Sequence, residues 1–132
     1  MEEQLISFEM AKLAKAKGFD IRMLNIYPME DFFGDYKTGE LSFMLEESFD
    51  EDFAWEKGYF AYAPTQSLLQ KWLREEKDIF VLVEYHKIGF IHTILSEKGP
   101  SVVKTKLFNT YEEALEAGLK KALELILKRT ER

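Results

Sequence analysis

His86 and His92 are the only two histidines in the chain, and Glu84 lies close before them. An imidazole oriented by a carboxylate is a common general base, and a hairpin through this stretch could bring the three side chains together. A base does nothing without a nucleophile, an oxyanion donor and a pocket, and no residue pattern beside it supplies them. A cross-strand pair on a solvated sheet face accounts for the same residues. A small hydrolase or metal-dependent enzyme built on Glu84, His86 and His92 is therefore the second reading of function, not the first.

Asp50-Glu51-Asp52 suggests calcium, but a calcium loop needs an oxygen ligand at its fifth place and glycine at its sixth. Ala54 and Trp55 stand there. Asp31 and Asp35 around Gly34 fail in the same way, because Phe33 occupies the third place. The chain has no cysteine, which removes thiolate catalysis, disulfides and cysteine zinc sites together. It has no Gly-x-Gly-x-x-Gly, Walker-type loop or Gly-x-Ser-x-Gly, and its seven glycines are dispersed. No catalytic residue, metal ligand or cofactor is expected.

One stretch stands out by charge. Between Glu30 and Glu56 ten acids meet a single base, Lys37, and are interleaved with Phe32, Phe33, Tyr36, Phe43, Phe49, Phe53 and Trp55. Acids set the rate at which a basic partner arrives, and large rings hold it once docked. The candidate contact residues are Phe49, Phe53 and Trp55 with Asp50, Glu51 and Asp52. The expected function is a protein-interaction or accessory module that binds another protein or itself, with a homodimer as one form.

The rest of the chain must position these groups. Its 132 residues, 46% hydrophobic and 14% aromatic, suit one globular domain, 1–132, of the α+β class: an antiparallel sheet with helices on one face. The net charge of −6 argues against binding nucleic acid or anionic lipid. No apolar run approaches the roughly 18 residues of a membrane span. The start Met1-Glu2-Glu3-Gln4 is acidic where a secretory signal is basic, so a cytoplasmic location is expected.

Ser7 as N-cap and Gly18 as terminator frame a helix over about 8–17. Ile21–Tyr27 reads as a strand stopped by Pro28. Residues 29–58 offer only a possible hairpin leading to Leu41–Leu45. Pro64 at a first helical position opens a helix over 64–76 with Leu68, Leu69, Trp72 and Leu73 on one stripe. Ile79–Tyr85 is a strand, followed by a turn at Lys87-Ile88-Gly89. A three-residue loop there sets Glu84 opposite His92 and keeps His92 off the valine face, whereas a two-residue turn places it among the core valines. The three-residue loop is the expectation. Gly99-Pro100 predicts a second turn, and Val103, Thr105 and Leu107 a third strand. Thr110 and Glu113 have capping-box spacing at the start of a helix reaching about Lys128.

The strings Ser7-Phe8-Glu9, Gly18-Phe19, Ala63-Pro64-Thr65-Gln66-Ser67 and Thr110-Tyr111-Glu112-Glu113-Ala114 resemble those of a family of small uncharacterised proteins from gut-bacterial genomes and prophages. That resemblance implies a phage or mobile-element context and no particular chemistry. The order helix, three strands, helix over 64–128 is similar to double-stranded RNA-binding domains. Here, however, Glu112 and Glu113 stand where such a domain presents bases to phosphate. The Thr-x-Glu-Glu-Ala helix start after three strands also resembles HicB-type antitoxins, acidic partners of small toxins.

Overall fold

A computed structural model describes residues 4–29, 37–43, 50–96, 99–102 and 107–126. Among them are four helices and two small antiparallel sheets, an α+β fold. The single sheet expected from the sequence is two. The chain forms two compact units: Leu5–Pro64, and Thr65–Arg132 together with Met1–Gln4.

In the first unit, helix α1 (Phe8–Ala16) begins where the Ser7 hydroxyl accepts the Met10 amide at 3.2 Å. It ends at Gly18, whose φ of +104° favours a residue without Cβ, and the Phe19 amide turns back to the Ala14 carbonyl at 2.9 Å. Strand β1 (Asn25–Pro28) is shorter than the sequence suggests and includes Pro28. It lies between β2 (Ser42–Phe43) and β3 (Phe60–Tyr62). Pro28 has no amide to offer, but its carbonyl accepts from Gly39 at 2.8 Å. Between β2 and β3 runs helix α2 (Glu51–Glu56), capped by Asp50, which the sequence did not foreshadow. Gly34 and residues 44 and 45 of the expected hairpin lie outside the described residues.

The second unit keeps the expected order helix, three strands, helix. Helix α3 (Gln66–Lys77) starts two residues later than expected: Thr65 caps it, and Pro64 precedes the cap. Gln66 is buried and donates to the Glu112 carbonyl at 2.9 Å and the Glu116 carboxylate at 3.0 Å. That pair of bonds ties α3 to helix α4 (Tyr111–Leu125). Strands β4 (Phe80–His86), β5 (Gly89–Ser96) and β6 (Gly99–Val102) lie side by side in that order. Gly99 and Pro100 pair with Ser96 and Leu95, so they belong to a strand and not to a turn. The third strand expected at Val103 and Thr105 falls outside the described residues. Buried Leu115, Leu119, Ala122 and Leu123 put the apolar stripe of α4 into the core, as the periodicity predicts.

Candidate functional site

The β4–β5 hairpin fixes where the candidate chemistry sits. His86 pairs with Gly89, Tyr85 with Phe90 and Val83 with His92, so the turn holds two residues, Lys87 and Ile88. Lys87 takes the left-handed conformation with φ of 53°. This corrects the three-residue loop. Glu84 stands opposite Ile91, and no Glu84–His92 pair exists. The expected register failed because it treated His92 as a polar residue that must face solvent, when a neutral imidazole can be packed like a hydrophobe.

Residues paired across an antiparallel ladder share a face. Val81, Val83, His92 and Ile94 therefore lie together towards α4, while Glu84 and His86 lie on the opposite face, exposed. The three groups named for an enzyme are not brought together. His92 is 3% exposed, and neither Nδ1 nor Nε2 has a hydrogen-bond partner among the described residues. Burial holds its pKa below the ordinary value, and the positive charge of Lys121 adds to that effect. The Ala114 backbone opposes it, although neither ring nitrogen reaches that backbone with hydrogen-bond geometry.

The face of the hairpin turned away from α4 carries Phe80, Leu82 and Leu95, which are 40%, 43% and 37% exposed. Thr93, opposite Leu82, and Ile91, opposite Glu84, continue this face towards the turn. Ile88 at the turn is 84% exposed. Strand β4 is also an edge of its sheet. With His86 and Gly89 closing a two-residue turn, Val81, Val83 and Tyr85 direct their backbone groups outward along that edge. The Val81 carbonyl is covered by the Gln70 side chain at 2.6 Å.

The acidic segment makes several contacts within its own unit. Asp50 accepts the Phe53 amide at 3.0 Å as the cap of α2. Glu51 accepts the Tyr62 hydroxyl and lies 3.5 Å from Arg22, which also pairs with Asp52 at 2.6 Å. Burial first, then the Glu51 hydrogen bond and charge, push the Tyr62 phenol well above its ordinary range, so it keeps its proton. Trp55 stacks on Tyr62 with ring centroids 4.7 Å apart. The Lys15 ammonium sits 3.9 Å above the Trp55 ring and donates to the carbonyls of Trp55 and Phe60 at 2.9 and 2.7 Å. Burial lowers the Lys15 pKa to about 8. Phe53 remains 51% exposed, and Phe49 lies outside the described residues.

Among the described residues no cluster of three or more His, Asp or Glu side chains could hold a metal, and no helix is long and apolar enough to cross a membrane. Comparison with family models, curated proteins and solved structures finds no match. The features that sequence reasoning missed are Lys15 as the centre of a ring cluster, Arg22 as the partner of the acids, and the apolar outer face of the hairpin. The last had a legible signal. Alternate residues Phe80 and Leu82 are apolar on both sides of Val81, which marks a strand apolar on both faces.

Proposed function

We propose that this chain is a protein-interaction module whose contact surface is the outer face and free edge of the β4–β5 hairpin. A phage or mobile-element setting is part of this reading and rests on the sequence resemblance alone. The observation that carries the interaction reading is the row Phe80, Leu82 and Leu95, each more than a third exposed on a face that α4 does not cover. Large apolar side chains grouped on an open sheet face are costly in water, and a protein partner removes that cost. Along the edge of β4, the backbone groups of Val83 and Tyr85, which pair with no other strand among the described residues, add the means to align a strand of that partner.

This surface replaces the acidic segment as the leading contact candidate. Asp50, Glu51, Asp52 and Trp55 make contacts inside their own unit, and among the described residues of the segment Phe53 is the exposed ring. The enzyme reading loses its geometry, since Glu84 and His86 face away from His92.

Sedimentation velocity and capture from the native host, each done with wild type and with Leu82→Lys, test the proposal. Wild type should self-associate or retain a defined partner, and Leu82→Lys should lose that association while keeping its circular dichroism spectrum. A monomeric wild type that recovers the same proteins as Leu82→Lys removes this surface from consideration.

A further inference from the structure

His92 is buried where, among the described residues, no acceptor reaches its ring. Its imidazole packs against α4 at Gly118, where an added Cβ would come within 3.1 Å of the His92 Cβ and 3.2 Å of its Cγ. The Phe108 ring lies 6.0 Å from it, centroid to centroid. On β4 its neighbours are Val81 and Val83, which carry no charge. On α4 the charged group that acts on it is Lys121, a like charge once the imidazole is protonated. Both ring nitrogens lack acceptors among the described residues. A proton added here would bring a buried, unpaired cation into a helix–sheet layer with no room to rearrange.

We propose that His92 is an acid-sensitive latch for helix α4: protonation of the imidazole releases α4 from the β4–β5 face and bares Leu115, Leu119 and Leu123. The device is independent of the contact surface above, because that surface lies on the opposite face of the hairpin. The direction of its pH dependence follows from linkage. A folded-state pKa below the unfolded value of about 6.5 means that the unfolded chain binds the proton more readily. The stability linked to His92 is therefore whole above pH 6.5 and is lost as pH falls towards the lowered value. Within that window each pH unit costs up to about tenfold in the folding equilibrium. Carboxylates take up most of their protons below it.

Urea unfolding at closely spaced pH values from 7.5 to 5.5, with amide hydrogen exchange at both ends, provides the test. Wild type should lose stability steeply below pH 6.5, with faster exchange appearing in α4, β4 and β5. His92→Leu should flatten that slope, and Lys121→Gln should reduce it by removing a like charge. His86→Gln, at an exposed position on the other face, should leave it unchanged. An equal slope in wild type and His92→Leu overturns the latch, as does faster exchange that spares α4. If His92→Leu does not fold, an NMR titration of wild type decides the matter: His92 titrating at or above the ordinary value refutes the proposal, and titration below it, shifted upward in Lys121→Gln, supports it.

Discussion

Between Leu5 and Pro64 the chain carries 12 acids and six bases, and its interior joins rings to a cation: Lys15 over Trp55, Trp55 on Tyr62, Tyr62 on Glu51. The other unit balances 12 acids with 12 bases and buries an aliphatic helix stripe on a sheet, with a single buried histidine in the layer. The first adds to its buried core a chain of directional contacts, one of which, from Lys15 to Trp55, spans 40 residues, whereas the second rests on area removed from water. Directional contacts fail one at a time, whereas a packed layer gives way where its volume is disturbed.

The largest effect should therefore come from the layer. Leu119 is fully buried in α4, and Leu119→Ala should cost about 2–5 kcal/mol, because a helix held on a sheet cannot close the space left behind. Chemical denaturation measures the loss, and hydrogen exchange should show β4 and β5 losing protection with α4. A loss below about 1 kcal/mol would mean that α4 is less firmly packed than its burial implies.

Lys15→Met tests the other unit. Methionine keeps much of the stem but leaves the carbonyls of Trp55 and Phe60 without their donor, at a cost of about 1–3 kcal/mol. Its pH dependence sharpens the contrast with His92. A lysine at about 8 in the folded state and near 10.5 unfolded binds its proton less well when folded. Raising the pH through that window favours the folded wild type, so the gap to Lys15→Met should widen from pH 8 to 10. A gap that stays constant over that range would show that Lys15 titrates as an ordinary lysine.

The same contrast explains what could be read in advance. Helices α1, α3 and α4 follow from caps and apolar spacing within one turn, and Ser7, Gly18 and Thr110 act as those rules require. Helix α2 has six residues, too few for a period to declare itself, and its only buried member is Ala54. The cation over Trp55 was out of reach because Lys15 lies 40 residues away and no local pattern links the two. The hairpin was misread by one residue, and in a strand one residue exchanges the faces. That shift moved His92 from the candidate site into the core.

Gly118→Ala probes the closest approach in the helix–sheet layer. Alanine gains about 1 kcal/mol of helix propensity over glycine. Its Cβ, however, would stand 2.7 Å from Val81 Cγ1, a branched side chain fixed in a paired strand. Overpacking of that kind costs about 1–3 kcal/mol, so the net change should be a modest destabilisation. A stabilised variant, read from the denaturation midpoint, would mean that the strands yield and that His92 has more room than its surroundings indicate.

The smallest expected effect lies at the start of α4. The Thr110 hydroxyl accepts the Glu113 amide at 3.1 Å, as a capping box requires, but the returning bond differs from the expected one: the hydroxyl lies 3.2 Å from the Glu113 carboxylate, to which it donates. The threonine thus serves both halves of the exchange. Thr110→Ala should cost about 1 kcal/mol, and Thr110→Ser should restore most of it because serine keeps the acceptor. Glu113→Gln should change little, since an amide oxygen can still accept from the hydroxyl. Chemical denaturation of the three variants separates the parts. If Glu113→Gln costs as much as Thr110→Ala, the helix start is held by the carboxylate's charge at the positive end of the helix dipole, and the cap itself contributes little.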